Sequence, residues 1–80
     1  MATRIVDATQ EWKELSQSDC IIQNVSNGEY FITYSETQPD NGYSNAFIIK
    51  HSGMINLPAP ISGSIYVASK NNARIAVEDF

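Results

Sequence analysis

The stretch ISGSIYVASKNNARIAVED, residues 61–79, carries the clearest hairpin pattern in the sequence. Ile65 and Val67 share one face of its first half, and Ile75 and Val77 share one face of its second half. Apolar side chains at every second position on both sides of a turn are typical of two antiparallel strands. We therefore expect both aliphatic pairs to face the same interior.

The turn between these two strands contains Asn71-Asn72. Asn tolerates left-handed backbone conformations, so this pair suits a tight turn in which most residues would be strained. The same alternation predicts that Arg74 and Glu78 face water. A two-stranded hairpin is not stable alone, so the residues upstream must supply the rest of the sheet.

The remaining sequence predicts more short strands separated by turn residues. Residues 20–25 and 30–34 form a second predicted hairpin, and residues 46–50 and 54–57 are two further apolar runs. We therefore predict one all-β domain over residues 1–80, a small antiparallel β-sandwich or barrel of five to seven short strands.

Residues 1–19 precede the predicted antiparallel core of residues 20–79. Trp12 and Leu15 are three positions apart, which fits a single helical turn with acidic residues in its early positions. We expect at most this one N-terminal helical turn, and a short strand is the alternative.

The balance of charge limits the possible partners. Five Lys and Arg stand against nine Asp and Glu, for a formal net charge of −4. Nucleic acids and anionic membranes are bound through clustered cations, and the cations here are scattered, so we expect neither partner. No apolar run approaches the roughly 20 residues of a membrane span, and the polar segment MATRIVDATQ does not resemble a signal peptide. We expect a protein of the cell interior, or of a particle assembled there.

A chain of 80 residues has a small core. At about this length one core rarely contributes more than ~3–5 kcal/mol without a disulfide, a metal or a partner subunit. The single cysteine, Cys20, excludes an internal disulfide and fits a reducing compartment. We therefore expect further stability to come from oligomerisation or from docking on a larger assembly.

Residues suited to catalysis or metal binding are few. His51 is the only histidine, which leaves no histidine-based metal cluster. Cys20 heads an apolar strand, where a free cysteine usually packs as a small hydrophobe. The run Asp40-Asn41-Gly42 lacks the alternating acidic ligands and the distal Glu of a calcium loop. We predict no catalytic residue, no metal site and no cofactor, and we expect the protein not to be an enzyme.

Three aromatic residues are candidates for contact with a partner. Trp12 is either a core or lid residue or an interface anchor, since Trp is enriched in binding hot spots. Tyr43 lies in a loop rich in turn residues, 35–45, and either folds back over the core edge or contacts a partner or a glycan. Phe80 either folds onto the last strand or is exposed to a neighbour.

The order of the predicted strands carries a resemblance to a known class of protein. Its parts are a "Gln-Asn" strand, a loop containing a proline, a strand reaching a glycine turn, and a final hairpin. In this sequence they read Ile22-Gln23-Asn24-Val25-Ser26, Pro39, Phe47-Ile48-Ile49, and Ile65-Tyr66-Val67 followed by Ala73-Arg74-Ile75-Ala76-Val77. Over about residues 10–79 this succession resembles small virion accessory proteins of tailed bacteriophages.

The resemblance implies a β-sandwich that assembles on capsids, necks or tails, often as a symmetric oligomer. We therefore expect a non-enzymatic structural protein of the virion, assembled in the host cytoplasm, that decorates or fastens part of the particle. Its partners would be copies of itself and other virion proteins. The alternative is a glycan- or receptor-binding module that uses Tyr43 and the Asp and Asn groups of residues 35–45.

Overall fold

The computed structural model describes residues 3–26, 28–40, 42, 46–50 and 53–80. These residues form eight β-strands and no helix. The all-β prediction is confirmed, and the strand number is eight rather than five to seven. The strands are β1 (Thr3–Ala8), β2 (Lys13–Ser16), β3 (Cys20–Asn24), β4 (Tyr30–Ser35), β5 (Phe47–Ile49), β6 (Ile55–Leu57), β7 (Ser64–Ala68) and β8 (Ala73–Asp79).

The strands form two antiparallel sheets that pack as a β-sandwich. Sheet 1 has the order β1-β8-β3-β6, and sheet 2 has the order β2-β7-β4-β5. Each of the successive pairs β1–β2, β3–β4, β5–β6 and β7–β8 therefore has one strand in each sheet. The connections β2–β3 and β6–β7 also cross, so the chain passes between the two layers six times and stays in one sheet only from β4 to β5.

The predicted pairing of β7 with β8 is wrong. β7 pairs with β2 and β4, whereas β8 pairs with β1 and β3. The predicted pairing of β3 with β4 fails for the same reason, since these strands also lie in opposite sheets. The alternation of apolar residues shows which side chains face the interior. The same alternation is expected whether two strands pair within one sheet or face each other across the core, so it does not identify the partner strand.

The prediction for the interior itself is confirmed. Ile65, Val67, Ile75 and Val77 are all buried in one cluster that both sheets contribute to. Asn72 takes the left-handed conformation expected of the turn, with φ of 57°. The other buried members of this cluster are Val6, Ala8, Leu15, Cys20, Ile22, Tyr30, Ile32 and Ala73.

The predicted N-terminal helical turn is also wrong, and the alternative, a short strand, is correct. Leu15 lies in β2, and its side chain is buried in the core between the sheets. Trp12 directly precedes β2. The free edge of β7 supplies backbone partners for β2, which outweigh the local preference for a helical turn. The pairing shifts register between Glu14 and Ser16.

One glycine permits a close approach between two strands of sheet 2. Gly63 has φ of +78°, just before β7, and a Cβ built on it would lie 2.3 Å from the carbonyl oxygen of Ser35. Ser35 is the last residue of β4 and the first of the 35–45 loop. Only glycine fits this position without a shift of the backbone.

Candidate interaction surface

The outer face of sheet 2 is covered by the chain's own residues. Trp12, Phe31, Tyr66 and Ala68 form a second buried cluster on this side, and Ala46 packs against it. We call this surface the covered face. Phe31 and Tyr66 point outward because their neighbours in β4 and β7 point into the core. Sheet 2 therefore has apolar, buried side chains on both of its faces.

Trp12 connects the covered face to the long loop. Its indole Nε1 donates a hydrogen bond to the carbonyl oxygen of Gly42, at 3.0 Å, and the ring is only 4% exposed. Gly42 belongs to the 35–45 loop, and Ala46 at the loop's end packs against the same cluster. Gly42 and Ala46 therefore connect this part of the chain to the covered face, Gly42 through Trp12 and Ala46 by packing.

The outer face of sheet 1 has no comparable cover in the described part of the chain. Ile5 is 50% exposed and Met54 is 67% exposed, and Val25 is also exposed. Ile21 and Ala76 are half-buried on the same face. We call this surface, made by Ile5, Ile21, Val25, Met54 and Ala76, the open face.

Ala76 lies at the centre of the open face. It is opposite Ile5 on β1 and opposite Gln23 on β3. Because alanine is small, the surface dips there into a shallow groove of about 150 Å³, which Ile21 and Met54 help to line. The exposed Gln23, opposite Ala76 on β3, also lines this groove, so the open face is indented at its middle and carries one polar side chain among its apolar ones.

Charged residues lie at the two ends of β8 on this face. Arg74 lies at one end of β8 and pairs with Asp7 across β1, at 3.5 Å between Nε and Oδ1. Glu78 lies at the other end of β8, between Thr3 and Ile21. The prediction that Arg74 faces water is confirmed, and Glu78 is half-buried beside the groove. Apolar side chains flanked by charged ones are common in protein–protein interfaces.

The three predicted contact residues lie in different places. Trp12 is buried, with its indole donating to the carbonyl oxygen of Gly42, and is not presented to solvent. Tyr43 lies outside the described residues. Phe80 is 56% exposed and lines a shallow cleft beside Asp19 and Leu57, at the end of sheet 1. Neither Trp12 nor Phe80 is part of the open face.

A second apolar area lies on the edge of sheet 2. β5 is an edge strand, and its residues Phe47 and Ile48 are both exposed. The strand has three residues and carries Lys50 directly after it. Short edge strands and nearby lysines both reduce edge-to-edge pairing, so we regard this area as secondary to the open face.

A polar clamp joins the two sheets at one end of the sandwich. The guanidinium of Arg4, on β1, donates to both carboxylate oxygens of Asp79, on β8, at 3.0 and 3.3 Å. Ser16, on β2 of the other sheet, donates to Asp79 Oδ1 at 2.5 Å, and Arg4 also donates to the carbonyl oxygen of Leu15. The hydrogen bonds from Arg4 and Ser16 lower the pKa of Asp79.

Cys20 and Tyr30, two residues whose side chains could take part in chemistry, are buried. Cys20 is enclosed in the core, and burial raises the pKa of its thiol, so the reactive thiolate is disfavoured. Burial also raises the pKa of Tyr30 to about 12, and its hydroxyl has no hydrogen-bond partner. Among the described residues no three His, Cys, Asp or Glu side chains are grouped closely enough to hold a metal ion. Cys20 and Tyr30 are therefore core residues.

Comparisons with known proteins returned no relative. No protein-family model, no curated protein and no solved structure matches the chain. The described residues include no helix long and apolar enough to cross a membrane.

The open face was not recognised in the sequence, although one signal for it was present. The alternation in residues 73–78 assigned Arg74 and Glu78 to the outward side, and Ala76 lies between them on that side. A single small apolar residue between two opposite charges is only a weak signal of an apolar surface, because isolated apolar residues are common on protein surfaces. Ile5 and Met54 could not be assigned to this face because the pairing of β1 and β6 was unknown.

Proposed function

We propose that this protein is a non-enzymatic structural component of a tailed-bacteriophage particle, assembled on the virion in the host cytoplasm. It would decorate or fasten part of the capsid, neck or tail, with copies of itself and other virion proteins as its partners. The observation that carries the proposal is the open face, because a small sandwich that leaves an apolar sheet face uncovered is suited to assembly.

The energetics of a short chain favour the same conclusion. A core of this size leaves little excess stability. The long loop and Trp12 are used to cover sheet 2. A partner on the open face would remove Ile5 and Met54 from water, at about 25 cal/mol per Å² of apolar area. Association would then stabilise the folded chain as well as place it on the particle.

A non-enzymatic role is supported by the position of the groups suited to chemistry. A nucleophile needs an accessible thiolate or hydroxyl beside a base. Cys20 is buried with a raised pKa, and it packs among aliphatic residues.

The glycan-binding alternative depends on residues 35–45 being available to a ligand. Within the described part of that loop, the Gly42 carbonyl is used by Trp12, and the hydroxyl of Ser35 donates to the carbonyl oxygen of Thr37 at 2.6 Å. These internal contacts favour a covering role for the loop over a binding role.

The proposal is tested by asking whether the protein is a constituent of particles. Particles from a culture that produces the protein are banded in a density gradient and probed with an antibody raised against the chain. We expect the protein in the particle band at a fixed ratio to the major capsid protein, and retained after a high-salt wash. Its recovery only in the soluble fraction would overturn the proposal.

A matched pair of variants links particle binding to the open face. Ile5→Glu places a charge on that face, on the edge strand of sheet 1, and Phe47→Glu makes the same type of change on the edge of sheet 2. We expect Ile5→Glu to be lost from the particle band and Phe47→Glu to be retained. Retention of both variants would assign assembly to another surface.

A further inference from the structure

We propose that the open face binds a second copy of this chain, face to face, with the two β8 strands crossing antiparallel at Ala76. The inference rests on the proposed assembly role and names the partner and geometry of that same surface. The two-fold axis lies in the plane between the copies, perpendicular to the strands, and passes over Ala76.

Charge on β8 selects this arrangement. Arg74 and Glu78 lie on the same face, four residues apart, which is about 13–14 Å along a strand. That distance exceeds the Debye length of about 8 Å at physiological ionic strength, so the two charges hardly compensate within one copy. Reversal of the strand direction across the axis brings Arg74 of each copy over Glu78 of the other.

Arg74 has N–H donors that its contact with Asp7 does not use. Its pairing with Asp7 uses Nε, at 3.5 Å, and both side chains are about two-thirds exposed. A guanidinium carries five N–H donors in a planar fork. It can therefore bridge Asp7 of its own chain and Glu78 of the second copy, in a contact that forms twice in the pair.

The shape of the open face fits the same axis. Ile5 and Met54 project on either side of Ala76, and Ala76 forms the low point between them. With the axis over Ala76, the two small residues meet at the centre and let the sheets approach. Ile5 of each copy then lies against Ile5 of the other, and on the opposite side of Ala76, along the same axis, Gln23 meets Gln23 and Met54 meets Met54.

The molecule is broad enough for a stable contact on this side. Its extents are 31 × 29 × 16 Å. Stacked sheets lie about 10 Å apart, so the short dimension is the stacking direction and each outer face belongs to a broad side. A broad side of this size is comparable with the roughly 800 Å² per partner that standard interfaces bury.

The test is a charge exchange measured by sedimentation equilibrium of the purified full chain. Arg74→Glu and Glu78→Arg each place like charges in opposition, and each is expected to weaken dimerisation at least tenfold. The double variant restores opposite charges in the reversed sense, and is expected to return the dissociation constant to within about threefold of the original protein. Thermal unfolding of each variant checks that the fold is retained.

Lys50→Glu provides the matched control. It changes net charge by the same amount as Arg74→Glu, at an exposed residue outside the open face. We expect it to leave dimerisation unchanged, apart from the small effect of a more negative chain. Equal weakening by Lys50→Glu and Arg74→Glu would overturn the pairing, because the effect would then be one of net charge alone.

The outcomes separate this inference from the proposed function. A chain that stays monomeric at every concentration, while Ile5→Glu still removes it from particles, overturns the second copy and leaves the particle role standing. A dimer that follows the charge-exchange pattern but is absent from particles supports the second copy and overturns the particle role. Weakening by both single variants without recovery in the double variant overturns the proposed antiparallel geometry.

Discussion

The two sheets of this sandwich have similar inner faces and different outer faces. On the covered face, Trp12, Phe31 and Tyr66 are buried, and the indole of Trp12 donates to the carbonyl oxygen of Gly42. On the open face, Ile5 and Met54 are half or more exposed. In the described part of the 35–45 loop, Gly42 contacts the covered face of sheet 2, as does Ala46 directly after the loop. The apolar surface left on sheet 1 is therefore the surface available to a partner.

This contrast also separates stability from assembly. Residues of the covered face contribute to the folding of a single copy, because they are already removed from water. Residues of the open face contribute little to that folding, because they gain contacts only in a complex. Substitutions on the two faces should therefore differ in which measurement they affect.

The largest effect is expected from Trp12→Ala. Removal of a buried aromatic side chain costs about 3–5 kcal/mol, which is comparable with the ~3–5 kcal/mol that one core of about this length contributes. The loss is measured by urea unfolding followed by circular dichroism. If that variant does not fold, Trp12→Phe is measured instead. It keeps an aromatic ring but removes the hydrogen bond to Gly42, and should lower the free energy of unfolding by about 1 kcal/mol. If neither variant changes the free energy of unfolding, burial of Trp12 and its hydrogen bond to Gly42 do not stabilise the fold.

The next largest loss of stability is expected at Gly63, which lies beside Ser35, the first residue of the 35–45 loop. Gly63→Ala forces a Cβ against the carbonyl oxygen of Ser35 at a positive φ, and should cost about 3 kcal/mol. Gly28→Ala is the matched control, since Gly28 also has a positive φ but has no atom within 4 Å of the added Cβ. It should cost about 1 kcal/mol. Equal costs in chemical denaturation would mean that the close approach is relieved without strain.

A smaller effect is expected at the clamp that joins the sheets. The folded-state pKa of Asp79 is lowered, first by Arg4 and then by Ser16. The clamp therefore stabilises the fold above the unfolded-state pKa, near 3.9, and this contribution is lost as pH falls through the folded-state pKa. Because both side chains are more than a third exposed, the contribution should be no more than about 0.5–1 kcal/mol.

Asp79→Asn tests this prediction through its dependence on pH. The variant should be less stable than the original protein at pH 7, and the difference should disappear at acid pH, when the carboxyl of Asp79 is protonated in the folded chain. The measurement is the urea midpoint of both proteins across that range. A difference that stays constant with pH would mean that the charge of Asp79 does not stabilise the fold.

The smallest effect on folding is expected from Ile5→Ala. Ile5 is half exposed at the edge of sheet 1, so the substitution should change the free energy of unfolding of a dilute, monomeric sample by about 0.5 kcal/mol or less. The same substitution should weaken association, because it removes apolar contact area. A loss of several kcal/mol in the dilute sample would show that Ile5 is part of the folding core and would remove the contrast between the two faces.

Much of the fold was predictable from the sequence, because alternation is a local property. Ile65, Val67, Ile75 and Val77 were assigned to the interior, and all four are buried there. Which strand pairs with which was not predictable, since β7 and β8 show the same alternation in one sheet or in two. The N-terminal turn was misjudged because the spacing of Trp12 and Leu15 fits a helix, whereas the free edge of β7 favours a strand.

The candidate site was less predictable for a related reason. Trp12 was considered as either a core or lid residue or an interface anchor, and its environment includes a hydrogen bond to Gly42, thirty residues away in the sequence. The open face combines residues from β1, β3 and β8 and from the start of β6. No single stretch contains it, so it became visible only once the strand order was known.

The most direct test of the central claim is the average mass of the protein in solution, measured by light scattering over a concentration series. The original protein and Phe47→Glu should both rise from the monomer mass toward that of a dimer as concentration increases. Ile5→Glu, folded to the same extent, should remain at the monomer mass. If Ile5→Glu associates as the original protein does, the open face is not the surface through which this protein assembles.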